Sequence, residues 1–211
     1  MNNHTTAYDG GCTCRFVRYR MTTKPLFVHC CHCRWCQRET GAAFALNAMI
    51  ESDRVLLLQG EVEVVDTPSN SGKGQKISRC PRCRIALWSN YAGAGDAVRF
   101  VRVGTLDEPD RLPPDIHIFT SSKQAWVVLG PEARAVPEYY KASEVWPQSS
   151  LERRAVAGEG AAAVARRCPA KLALSSRPGP SRRRLHGRWS AWHGQRPAAV
   201  LRSIRARPRR K

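Results

Sequence analysis

The chain has 211 residues, 42% hydrophobic and 25% charged, the proportions of a globular protein rather than a fibrous or disordered one. It has no stretch approaching the roughly 20 apolar residues that span a bilayer, and residues 1–9 lack the basic-then-apolar order of a secretory signal, so a soluble, cytoplasmic protein without membrane contact is expected. The net charge of +18 does not argue for nucleic-acid binding by the whole chain, because residues 1–150 hold 18 Lys+Arg against 15 Asp+Glu and residues 151–211 hold 17 against 2.

In chain order, Gly10-Gly11 is a turn signal, and Phe16 to Arg20 alternates apolar residues with arginines as a half-exposed strand does. Pro25 interrupts, and Leu26 to Val28 predicts a second strand running into a group of cysteines. Residues 34–40 predict one short helical turn closed by Gly41. Phe44 to Ile50 predicts a strand. Val55 to Leu58 and Val62 to Val65 flank Gly60 and predict a hairpin. Residues 67–76 form an exposed loop by composition. Ile85 to Ser89, Val98 to Val103, Ile116 to Phe119 and Trp126 to Leu129 are further strand candidates. Many short strands with turn signals between them predict a mainly β domain over residues 8–145.

Composition changes near Leu151. Residues 151–211 lack Phe, Tyr, Asp, Asn, Thr and Met and are rich in Ala, Arg, Gly, Pro and Ser. Such a segment buries too little apolar surface to offset ordering. Two readings stand: a disordered basic arm gripping nucleic acid through phosphates, or the product of a frameshift in GC-rich coding DNA. Within it, Ala161 to Arg167 has the composition of a transient helix.

Seven of the nine cysteines fall in three clusters: Cys12 and Cys14; Cys31, Cys33 and Cys36, preceded by Cys30; and Cys80 and Cys83. An odd count in tight clusters is unlike a disulfide framework and points to metal. A structural zinc takes four ligands, whereas a catalytic one keeps three and leaves a position open. Seven thiols divide as four plus three, with the outer clusters joining if their strands pair. A second closed site, completed by Cys30 or His32, is the competing arrangement. Against it, alternation in an extended segment turns both side chains away from Cys31 and Cys33. A redox pair at Cys80 and Cys83 is a further alternative.

The order Gly10-Gly11-Cys12-x-Cys14, Val17-Arg18-Tyr19, Cys31-His32-Cys33-x-x-Cys36 and Cys80-Pro81-x-Cys83 resembles the glutathione-dependent formaldehyde-activating enzyme family, also called the centromere-protein-V/Gfa domain family. The resemblance covers roughly residues 8–140, and Thr40-Gly41 and Leu87-Trp88 extend it. It implies a β-tent (Mss-four-like) fold and two zinc ions per chain. Cys12, Cys14, Cys80 and Cys83 would hold the structural zinc; Cys31, Cys33 and Cys36 would hold the catalytic one. The family often carries glycine where this chain has Arg15 and Arg84, so ordinary backbone is expected there and locally different turns.

The same resemblance implies a carbon–sulfur lyase that forms S-hydroxymethylglutathione from formaldehyde, with glutathione as co-substrate, or acts on a related adduct. Arg15, Arg34 and Arg38 are candidates to pair with glutathione carboxylates. Phe44, Trp88 and Phe119 serve equally as pocket lining or core. The rival functions are a non-catalytic zinc module with a nucleic-acid-binding tail, and a methionine sulfoxide reductase, which would need a cysteine nucleophile beyond Cys83 in the core. The substrate and the oligomeric state stay open.

Overall fold

A short strand with apolar residues at every second position has one face to bury, and the chain pairs its strands into two sheets. A computed structural model describes residues 6–167, with side chains to residue 158. The chain runs through β1 (Tyr8–Gly11), β2 (Arg18–Met21) and β3 (Phe27–Cys31), then helix α1 (Arg34–Thr40) and β4 (Ala45–Glu51). It continues through β5 (Val55–Gln59), β6 (Glu63–Thr67), β7 (Gln75–Arg79), β8 (Ala86–Tyr91), β9 (Val98–Arg102) and β10 (Ile116–Ile118). Two helices follow, α2 (Ala142–Val145) and α3 (Gln148–Arg167). The expected mainly β class is borne out. No helix among the described residues is long and apolar enough to cross a membrane.

One sheet has the order β1-β2-β5 and the other β10-β3-β4-β9-β8-β7-β6. All pairings are antiparallel except β10 with β3. The first core holds Tyr8, Tyr19 and Met21 from the small sheet, with Val17 just before β2, against Ala48, Ile50, Leu87, Trp88 and Val101 from the large one. Tyr19 meets Trp88 edge-on at 5.6 Å between ring centroids, an arrangement worth about 0.5–1.5 kcal/mol beyond its buried area. The alternate residues of β2, Arg18 and Arg20, point outward and pair with Asp107 and Asp9. The second core, on the other face of the large sheet, joins Phe27, Met49, Phe100, Ile116 and Ile118 to Trp146.

Several sequence expectations are corrected. Gly10-Gly11 does not turn; it lies in β1, and a Cβ at Gly10 would stand 2.7 Å from both the Thr105 carbonyl and the Tyr19 ring. Close approach between layers, not a bend, requires glycine there. β5 and β6 are strands but not a hairpin, since β5 pairs with β2 and β6 with β7. Gly60, at φ 75°, carries the chain from one sheet to the other, past the Phe16 carbonyl, which a Cβ would meet at 2.2 Å. Trp126 to Leu129 forms no strand; Trp126 is 71% and Val128 89% exposed, so no sheet face covers them.

The composition boundary at Leu151 falls inside α3, so the first residues of the expected tail are helical. Leu151 packs on the second core. Arg153 donates through Nε and Nη2 to both oxygens of Glu51, at 2.8 and 2.7 Å, and Glu51 is only 3% exposed. Residues 168–211, with the readings of a nucleic-acid arm or a frameshift, lie outside the described residues.

Arg15 and Arg84 depart from the expectation of ordinary backbone: φ is 59° and 63°. The glycine conformation is kept although glycine is not. Each closes a cysteine turn, with Arg15 N–H donating to the Cys12 carbonyl and Arg84 N–H to that of Cys80, both at 3.0 Å. A left-handed non-glycine residue costs about 1–2 kcal/mol, partly offset because glycine loses more entropy on folding. Arg15→Gly should therefore raise the unfolding free energy by about 0.5–1 kcal/mol. Urea unfolding of the full chain checks this; a lower midpoint would show that Arg15 is not strained.

Candidate metal centre

Cys12 and Cys14 lie in the β1–β2 loop and Cys80 and Cys83 in the β7–β8 turn. These loops belong to different sheets, so the strands do not pair as the sequence reading supposed; the loop tips meet instead. The four sulfurs lie within 4.8 Å of one another, with Cys12 to Cys14 at 3.4 Å and Cys14 to Cys80 at 3.7 Å. A disulfide would bring two sulfurs to about 2.0 Å, whereas four ligands at about 2.3 Å from a tetrahedral ion stand roughly 3.7–3.8 Å apart. The donor set and its spacing fit a closed tetrahedral metal site. The Val17 N–H donates to Cys12 Sγ at 3.3 Å, and the Arg82 guanidinium lies 3.7 Å over the Phe16 ring, joining the two loops a second time.

The other group begins at the end of β3. Cys31 points into the second core, Cys33 caps α1, and Cys36 lies one turn into that helix. Their sulfurs also lie within 4.8 Å of one another, all buried. No fourth Cys, His, Asp or Glu joins the group among the described residues. The Cys36 N–H donates to Cys33 Sγ at 3.3 Å. Sulfur hydrogen bonds from Cys31 and Cys36 hold the Cys33 thiol down to about 2, and the bonds from Cys33 and Cys36 push Cys31 well up. Alone, the trio favours one thiolate, and a cation is needed to ionise all three.

Arg102, on β9, is 7% exposed. It donates from Nη1 to Asn47 Oδ1 at 2.5 Å and from Nη2 to Ser89 Oγ at 3.4 Å, while its Nε has no partner. It pairs with no carboxylate among the described residues. A buried cation needs a counter-charge. The Cys36 thiol is lowered by its bond to Cys31 but pushed up overall to about 12 by its bond to Cys33, by burial and by the Cys33 charge; the Arg102 charge opposes that rise.

The α1 surface forms one wall of a cavity of about 820 Å³ lined by Arg34, Gln37, Arg38, Gln124 and Trp126. Gln37 holds it to the centre, donating from Nε2 to the carbonyls of His32 (2.6 Å) and Ser122 (3.0 Å), while its Oε1 accepts from Arg34 and Gln124. Of the three arginines singled out from sequence, Arg34 and Arg38 line this cavity and Arg15 sits beside the four-cysteine group. Trp88 lies in the first core and Phe119 packs on the second; Phe44 is part-exposed against the His32 ring.

Cys30 and His32 turn away from the trio, as alternation demanded, and meet His117, which the sequence reading did not single out. Burial lowers the pKa of both rings, that of His32 to about 4. The second ring nitrogen of His32, Nδ1, is buried without a partner. Arg102, Gln37 and Gln124 were also missed: one buried arginine among eighteen Lys and Arg carries no local signature, and the glutamines act through contacts about 85 residues apart in the chain.

If Arg102 balances the three sulfurs, Arg102→Met should weaken metal held there by about ten- to a hundredfold. Chelator competition on the full chain measures this. An unchanged competition curve would separate Arg102 from the centre.

A family model described as glutathione-dependent formaldehyde-activating enzyme matches residues 7–122. No curated protein matches the chain. Among solved structures it is similar to a crystal structure of a Rhodobacter sphaeroides protein, at 17% identity over 47% of this chain and 87% of that one, with a TM-score of 0.35. The family match spans more than half of the chain and takes in all seven clustered cysteines, so the chain belongs to the glutathione-dependent formaldehyde-activating enzyme family.

Proposed function

We propose that this chain is a zinc-dependent, carbon–sulfur lyase-type enzyme that joins formaldehyde to glutathione, giving S-hydroxymethylglutathione. The observation that carries the reading is the group of three buried sulfurs with no fourth Cys, His, Asp or Glu among the described residues, beside a groove bearing two arginines. Cys31, Cys33 and Cys36 would hold one zinc, and Cys12, Cys14, Cys80 and Cys83 a second, structural one. When bound, zinc at the open centre ionises a thiol near neutral pH and polarises an oxygen.

The chain's own residues orient the co-substrate. Arg34 and Arg38 offer guanidinium forks to glutathione carboxylates, and Trp126 supplies an exposed apolar face. Gln37 fixes the register between groove and sulfurs, since one amide contacts the backbone before Cys33 and the side chains of the groove. In the addition, the glutathione thiol gives its proton to solvent and its sulfur bonds to the aldehyde carbon, the carbonyl π bond breaks, and the oxygen takes a proton back from water. Burial of the three cysteines excludes bulk water from their side of the site.

Adduct formation in formaldehyde and glutathione, followed by NMR against the spontaneous rate, tests this. The full chain should exceed the spontaneous rate and Cys33→Ser should not. Arg38→Ala should raise KM for glutathione about tenfold with a smaller effect on kcat, as loss of a substrate-binding ion pair does. A wild-type rate equal to that of buffer would refute the reading.

A further inference from the structure

We propose that Cys30, His32 and His117 form a third metal site, distinct from the two cysteine centres and suited to a borderline ion such as zinc. The strand register builds it. β10 runs parallel to β3 with His117 opposite Cys30, so the two side chains share one face of the sheet. The His32 N–H continues the ladder to the Ile118 carbonyl at 3.0 Å, which puts its side chain, two residues on from Cys30, on that face as well. Cys31 and Cys33 take the opposite face. One strand end thus serves two ligand groups back to back.

The three ligand atoms lie within 4.8 Å of one another. His32 Nε2 stands 2.9 Å from His117 Nδ1 and 3.6 Å from Cys30 Sγ. Nitrogen and sulfur ligands at about 2.0–2.1 and 2.3 Å from a tetrahedral ion stand roughly 3.3–3.6 Å apart, so small ring shifts admit an ion. One ordinary hydrogen bond at His32 Nε2 serves only one of its two neighbours. An imidazole nitrogen carries one proton or one lone pair, and His32 Nε2 faces two partners at once; an ion between the three satisfies all of them. Cys30 is 2% exposed and His32 fully buried, so bulk solvent does not hydrate these donors. One thiolate with two imidazoles is a donor set for zinc or copper rather than for magnesium or calcium.

The site does not rest on the proposed catalysis, and its test reads no turnover. The full chain is loaded with Co²⁺, freed of excess by gel filtration, and its ion content and thiolate-to-cobalt absorption are compared with those of Cys30→Ser and His117→Gln. Wild type should hold one ion per chain more than either variant, and Cys30→Ser should also lose part of the near-ultraviolet charge-transfer band. His117 is only half-buried, so His117→Gln preserves the fold if Cys30→Ser does not, as circular dichroism will show. Equal ion content in wild type and in a folded variant overturns the proposal. A third ion in a protein that forms no adduct would uphold this site while refuting the function above.

Discussion

Two sheets share one core, and their loop tips meet at four sulfurs. Cys12 and Cys14 come from the small sheet and Cys80 and Cys83 from the large one. Cysteines so far apart in sequence would close a loop of about seventy residues through any metal they hold, and a metal bound only by the folded arrangement would add its binding energy to folding. The hydrophobic layer between the sheets ends in these turns, since Cys12 and Cys80 belong to the first core. Left-handed Arg15 and Arg84 are tolerated because the sulfur positions over-determine both turns.

The large sheet then divides the chemistry. Alternation along β3 sends Cys31 to one face and Cys30 to the other, with the trio completed by α1 and the second group by β10. Buried polar groups follow the same division: Arg102 and Asn47 lie on the face of the trio, while His32 and His117 meet on the reverse. The two groups thus stand on opposite sides of one strand and share no sulfur.

Much of this was legible in the sequence because it is local. The spans of β2 to β6 and β8 to β10, the helix from Arg34 closed by Gly41, and the four-plus-three grouping of cysteines follow from spacing and period, whereas β1 read as a turn and the start of β7 as a loop. What escaped depends on contacts between distant segments. Val55 to Leu58 and Val62 to Val65 read as a hairpin because period cannot tell which neighbour a strand chooses. Gly10 read as a turn because the approach of Tyr19 and Thr105 is invisible along the chain. His117 drew no notice as a lone histidine in a strand, and only the parallel register with Cys30 gives it company. Leu151 marked a change of composition, yet Glu51, a hundred residues earlier, needs Arg153.

Helix α1 has seven residues, too few to persist in water by their own hydrogen bonds. It is held by the Cys33 sulfur at its first turn, by Gly41 at its last, and by the Gln37 amide between. The cap is thus also one of the three clustered sulfurs, and the arginines of the groove ride on the helix it caps. Oxidation or alkylation of Cys33 would therefore do more than alter one sulfur. It would release the first turn, scatter Arg34 and Arg38, and turn covalent damage at one buried sulfur into loss of the arginine-bearing surface.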